Sequence, residues 1–284
     1  MDKIKFGFKE VIKNKLLTYG IILFLFVSFF GVVGGWFIDP EMADVGAGYP
    51  SQPPSWEHWL GTDQQGRDVL ADLLLGTPQT LKIGLIAAFV GVSFGTILGF
   101  IGGYFGGKID TLFRLMSDVF MTIPGLLILI VIASLLDIVS TTLLGFVIAA
   151  FGWMGALRVT RAQVLTMRER AYVQVAKLNG VNDMEIIFKE MLPNLLPFIA
   201  ASLTASTAGA VLASLGLSAL GLGPQNEPSI GLTIYWALHY GALIRELWWW
   251  FMPPVVVMIL LFLSLFLITA GLDQIANPRL KDKV

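Results

Sequence analysis

Charged residues drop out of this chain in six long stretches. The uncharged windows 16–38, 83–107, 119–136, 138–157, 191–226 and 247–272 are dominated by aliphatic and aromatic side chains. A helix needs about 20 apolar residues to cross a bilayer, so each window predicts one spanning helix. The fifth is long enough for two, but it closes on Leu220-Gly-Leu-Gly-Pro-Gln-Asn226, which reads as a loop. The short third and fourth windows predict a tight hairpin turning outside the membrane near Asp137 and Ser140. The first window is longer than the apolar run of a signal peptide and is followed by no Ala-x-Ala site, so it reads as a retained anchor. The pattern predicts an all-α, polytopic membrane protein of six transmembrane helices. Its organisation divides into an anchor with an extracytoplasmic segment (1–78) and a five-helix core (79–284).

Composition supports the same class. Of 284 residues, 56% are hydrophobic and only 14% charged, against about 25% charged in a soluble domain. The mean hydropathy is +0.76. A net charge of −1 gives no bias toward nucleic acid, and the absence of cysteine excludes disulfides, thiolate metal sites and cysteine nucleophiles. Only two histidines are present, His58 and His239.

The position of the charges then orients the chain. Of 19 lysines and arginines, all but Arg67, Lys82 and Arg245 fall in segments that are cytoplasmic if the N-terminus is inside. The segment after the first window instead carries Asp39, Glu41, Asp44, Glu57, Asp63, Asp68 and Asp72. By the positive-inside rule both termini are cytoplasmic, and the protein sits in the cell (inner or plasma) membrane as a multi-pass protein.

Candidate chemistry is sparse. Gly102-Gly-Tyr-Phe-Gly-Gly107-Lys108 has the spacing of a nucleotide-binding loop, but Ile109 follows where a hydroxyl is needed, and no strand precedes it. The glycines Gly91, Gly95, Gly99, Gly103 and Gly107 recur every fourth residue, a small-residue ridge for close helix packing or for sliding against a partner helix. Ser202, Ser206, Ser214 and Ser218 form a hydroxyl stripe that either lines a translocation path or bonds back to its own helix carbonyls. Arg114 and Asp118, four apart, predict a local ion pair. No mid-membrane acid, histidine relay or hydrolase constellation is present.

The cytoplasmic loop 158–193 is the most informative stretch. It predicts two short helices, the first ended by Gly180 and the second opened by an Asn182…Glu185 capping box, with Pro193 introducing the fifth span. Ala171, Val175 and Ala176 offer small apolar contacts either to the bundle or to a groove on a cytosolic partner.

This loop, Tyr172-Val173-Gln174-Val175-Ala176-Lys177-Leu178-Asn179-Gly180 followed by Leu192-Pro193-Asn194, resembles the E-A-A-x-x-x-G…L-P loop of ABC importer permeases. Gly61-Thr62-Asp63, with Gly66-Arg67-Asp68, is similar to the L-G-T-D-x-x-G-R-D motif of the peptide/nickel branch, C-type subunit; Leu220–Gly223 and Asn277–Leu280 match later landmarks. Gln174 stands where the family has glutamate, Val175 where it has alanine, Glu190 at an isoleucine position, and Ala270 at an acidic one.

The resemblance implies a type I importer permease fold and a non-catalytic subunit with no cofactor of its own. ATP and magnesium would belong to partner subunits. It further implies a second homologous permease, two ATPase subunits joined through Ala171–Leu178 and Gly180, and an extracytoplasmic substrate-binding protein docked near an interfacial helix at 60–75. Membrane lipid surrounds the whole, and nucleic acid has no part. Peptides, oligosaccharides or nickel chelates are the expected cargo, and a stand-alone secondary carrier is the rival reading.

Overall fold

The computed structural model describes residues 13–136 and 138–276. Lys3, Lys5, Lys9, Asp137, Arg279, Lys281, Lys283 and the 277–280 landmark lie outside the described residues. Within them the chain is helical, with no strand beyond one isolated antiparallel bridge, Thr62–Asp68.

In order come α1 (Lys15–Gly34), α2 (Val69–Phe105), α3 (Gly107–Met121), α4 (Gly125–Ser134), α5 (Thr141–Arg168), α6 (Ala171–Leu178), α7 (Asp183–Glu185), α8 (Leu192–Ala219), α9 (Ile230–His239) and α10 (Trp248–Ala276). Among the described residues, five helices are long and apolar enough to cross a membrane, or six if the bent pair α3–α4 is one broken span. The count of six holds with that broken member included.

Several starts have a local cause. Asn14 caps α1 by accepting the Leu17 amide at 3.1 Å, and its own Nδ2 donates to the Gly271 carbonyl and Gln274 Oε1 at 3.1 and 3.0 Å, pinning α1 to the end of α10. Asp68, Ser140 and Ser229 cap α2, α5 and α9 in the same way. The 119–136 window is not one straight span. Pro124 disfavours helix at the residue before it, and the axes of α3 and α4 diverge by 73° across 122–124.

Helix directions follow from close approaches. Gly20 lies on Ile268 and Gly271 on Leu17, so α1 and α10 run antiparallel. Gly31 lies on Thr77 and Gly34 on Leu74, so α1 and α2 do too. The ridge Gly91, Gly95, Gly99 and Gly103 meets Ala149–Gly152, Trp153, Leu157–Thr160 and Val164 in register, so α2 and α5 run parallel as the tightest pair in the bundle. A β-carbon at Gly95 would stand 2.2 Å from the Trp153 carbonyl oxygen. The ridge is close-packed, and Gly107 falls outside it, at the α2–α3 joint with φ +62°. Both described chain ends and the α6–α7 loop therefore share one end of the bundle. The segment 39–68, α9 and Trp248–Trp250 share the other.

Two further expectations are corrected. The helix expected at 60–75 is not a separate interfacial element: α2 starts at Val69 and runs unbroken through Pro78. Arg114 and Asp118 do not pair. Asp118 instead binds Arg158 of α5, and Asp110 binds Arg161 through two contacts, because α5 extends past the predicted window to Arg168.

Candidate functional site

The loop end is built on helix continuity. The stretch 158–168 is the last three turns of α5 rather than loop, and α7 passes through a π-helical turn (Ile186–Met191) straight into α8. Only 169–182 separates two spanning helices, and α6 occupies most of it.

Asn182 accepts the Met184 amide at 3.0 Å, as expected of the second cap. Gly180 has φ +73°, a region that costs a residue with a β-carbon about 1–2 kcal/mol. Its amide reaches the Lys177 carbonyl (3.0 Å) and the Val181 amide reaches that of Ala176 (3.1 Å), the paired bonds of a Schellman motif. Glycine is needed here to turn the chain back.

The inner side of the loop is anchored. Val173, Ile186, Met191 and Leu195 are fully buried with Phe100, Tyr104 and Val164, and Tyr172 and Ala176 pack against them. Burial pushes the Tyr172 phenol above its usual range. Ala176 is thus half-buried rather than offered outward. Ala171, Gln174, Val175, Leu178 and Gly180 face out, and Pro193 is half-buried in the first turn of α8.

The outward side is apolar. Val175, Leu178, Met184 and Phe188 are 54%, 87%, 55% and 58% exposed. Sequence reasoning named the first two and missed Met184 and Phe188. Their i, i+4 spacing directly after the Asn182 cap was the available signal.

Polar contacts then tie the loop to the bundle. Gln174 Nε2 donates to the Arg168 carbonyl at 2.9 Å, an end-of-helix acceptor that a glutamate carboxylate could not satisfy. Arg168 Nη1 donates to the Tyr104 carbonyl (3.1 Å), and the Tyr104 hydroxyl donates to Asp183 Oδ1 (2.5 Å). Lys177 Nζ stands 4.6 Å from the Tyr104 ring centroid.

At the opposite end, the Gly61–Asp68 motif folds into a buried knot. Asp63 accepts the Gln65 and Arg67 amides on Oδ1 and Arg67 Nε on Oδ2, all at 2.8–2.9 Å. Thr62 Oγ1 donates to the Tyr49 carbonyl and accepts the Gln52 amide. Asp68 caps α2 with one oxygen and holds His58 Nδ1 at 2.8 Å with the other. Gly61 and Gly66 have positive φ, and a β-carbon at Gly66 would meet the Gly48 carbonyl oxygen at 2.2 Å. The side chains of Thr62, Asp63 and Asp68 and the Arg67 Nε are all engaged within the 49–71 stretch, so they shape the knot, while the buried Arg67 Nη2 has no partner.

The hydroxyl stripe divides. Ser214 is buried and donates to the Val211 carbonyl, while Ser218 is boxed in by the backbones of Gly223 and Gly231. Ser202 and Ser206 are half-exposed. A polar pocket of about 270 Å³, lined by Ser134, Gln225 and Asn226 among others, opens beyond the α8 end. An apolar cleft of about 640 Å³ lies between α1 and the outer segment and is lined mainly by side chains such as Phe26, Phe29, Trp59 and Leu74. Among the described residues, no group of three or more His, Cys, Asp or Glu is placed to hold a metal.

Residues 91–282 match the family of binding-protein-dependent transport system inner membrane components. Over 183 residues the chain is 36% identical to the oligopeptide transport system permease protein of Lactococcus lactis subsp. cremoris, covering 64% of this chain and 62% of that one. It is 34% identical to the dipeptide transport system permease protein of Bacillus subtilis, covering 77% and 68%. It is 32% identical to the oligopeptide transport system permease protein of Haemophilus influenzae, covering 78% and 71%. The matched stretch thus spans about two thirds of each relative, and less than that in the Lactococcus protein.

Proposed function

The chain belongs to the family of binding-protein-dependent transport system inner membrane components, and from that membership we propose that it is one permease half of an ATP-driven importer of di- or oligopeptides. The observation that carries this reading is the exposed apolar ridge Val175, Leu178, Met184 and Phe188 on a loop otherwise anchored in the bundle. An exposed ridge of this kind is suited to fill a groove on a soluble partner. A cytosolic ATPase subunit is the occupant, two such subunits supply ATP and magnesium, and this chain hydrolyses nothing itself.

The second half of the pathway is a homologous permease. The largely exposed apolar faces of α3 and α4 support a partner there. The path runs past Ser202 and Ser206 toward the pocket at Ser134 and Gln225, and a substrate-binding protein docks over the knot 61–68. Both chain ends are cytoplasmic, in keeping with the lysines and arginines gathered at the loop end. Peptide cargo is supported by the relatives, which are permease proteins of oligopeptide and dipeptide transport systems.

The test is reconstitution into proteoliposomes of this chain, alone or in the importer purified through a tag on it. Trialanine uptake that needs the co-purified ATPase subunits and ATP is expected. Uptake by this chain alone would make it a secondary carrier, and ATP-driven uptake of maltotriose but not trialanine would overturn the peptide assignment.

A further inference from the structure

We infer that Tyr104 is the positioning residue through which displacement of the α6–α7 loop reaches the 37-residue helix α2. The inference deepens the importer reading and rests on it. Tyr104 lies in the last turn of α2, fully buried, and three parts of the loop region converge on it. Its hydroxyl donates to Asp183, the first residue of α7. Its ring lies beneath Lys177, in the last turn of α6. Its carbonyl, left without a helical partner at the C-terminus of α2, accepts Arg168, the last residue of α5. Arg168 in turn offers its own carbonyl to Gln174 of α6. The two loop helices and the ends of both long parallel helices thus meet around one residue, the loop helices at its side chain and α5 at its carbonyl.

The remainder of α2 makes the connection consequential. Through the ridge Gly91–Gly103 it is locked against α5, and its other end is capped by Asp68 of the outer knot. A load applied at Leu178 or Phe188 therefore has a rigid route along one helix to the opposite end of the bundle. The joint at the loop is polar and directional, while the apolar packing around it would tolerate sliding. A hydrogen bond to a charged acceptor is among the stronger local interactions available there.

The test uses the intact importer in proteoliposomes with trialanine as cargo, reading ATP hydrolysed per peptide imported. Tyr104→Phe keeps the ring, its burial and the Lys177 contact, and removes only the hydroxyl. The expected result is a rise of about tenfold in ATP per peptide, the scale of one charged hydrogen bond, with ATPase subunits co-purifying as in wild type. Asp183→Ala should give the same rise, the double variant no more than either alone, and Asp183→Asn, which retains an acceptor, should restore most of the coupling. A wild-type ratio in Tyr104→Phe, or additive losses in the double variant, would overturn the inference.

Should Tyr104→Phe fail to assemble, the Asp183→Ala and Asp183→Asn pair, on the exposed face, decides the matter alone. Leu178→Asp separates the two claims. If it leaves the ATPase bound, the loop assignment itself fails. If it releases the ATPase while Tyr104→Phe stays coupled, only the role of Tyr104 fails.

Discussion

Replacing Gly95 with alanine tests the packing that makes α2 and α5 one unit. The new β-carbon would stand 2.2 Å from the Trp153 carbonyl oxygen, 2.8 Å from the Ala156 β-carbon and 2.9 Å from the Leu157 amide nitrogen. A carbon–oxygen contact needs roughly 3.3 Å, so the helices must part by about 1 Å, and two of the three obstructing atoms are backbone. A gap of that size forfeits a quarter to a half of each dispersion contact across it. If only as many atom pairs as one buried leucine makes, about 50 at about 0.15 kcal/mol each, are pulled apart, the loss is about 2–4 kcal/mol. Alanine's better helix propensity returns about 1 kcal/mol. A net destabilisation of about 1–3 kcal/mol is expected, measured by reversible SDS unfolding in mixed micelles. Gly155→Ala on α5, with nothing within 4 Å, and Gly152→Ala, whose nearest neighbours stand at 3.9 Å, serve as controls and should be neutral or slightly stabilising. Gly99→Ala and Gly103→Ala fall between, with nearest contacts at 2.8 and 2.9 Å. If Gly95→Ala unfolds no more easily than Gly152→Ala, the ridge is not a fixed contact and the argument is wrong.

Other perturbations probe the two ends of the bundle. Asp63→Leu leaves the Arg67 guanidinium buried without its carboxylate and removes the acceptor of two amides; a loss of about 3–5 kcal/mol is expected in the same unfolding assay. Gly180→Val forces a β-branched residue to φ +73° and should displace α6, raising ATP consumption per peptide without lowering protein yield. Asn14→Ala removes the α1 cap together with its bonds to Gly271 and Gln274, and should cost about 1–2 kcal/mol.

How much of this was legible in the sequence follows from which interactions are local. The spans, their order and the cap at Asn182 come from hydropathy and from short-range hydrogen bonds, which a linear reading captures. The loop motif and the outer motif were visible as patterns, but not what they do. Thr62, Asp63, Arg67 and Asp68 bond to backbone between Tyr49 and Ala71 and to one another or to His58, so their role is to fold the knot, and spacing alone does not say so. The break at Pro124 was hidden because hydropathy is blind to a missing amide in an apolar run. Arg158 and Arg161 looked like loop charges because the windows were cut at the first charge. Their partners Asp118 and Asp110 stand 40 and 51 residues away and let α5 continue past them. Tyr104 was masked by its glycine-rich surroundings, since its partners Asp183 and Arg168 lie 79 and 64 residues off.

The central claim is that the exposed ridge of the α6–α7 loop holds an ATPase subunit. The most direct measurement is the amount of ATPase subunit retained when the tagged chain is purified from membranes, wild type against Leu178→Asp and Phe188→Asp. Both side chains are exposed in the isolated chain, so folding should be untouched while a carboxylate enters an apolar groove. The account predicts stoichiometric ATPase with the wild type and at least a tenfold loss with either variant. Full retention in both variants, with unchanged trialanine uptake, would contradict it.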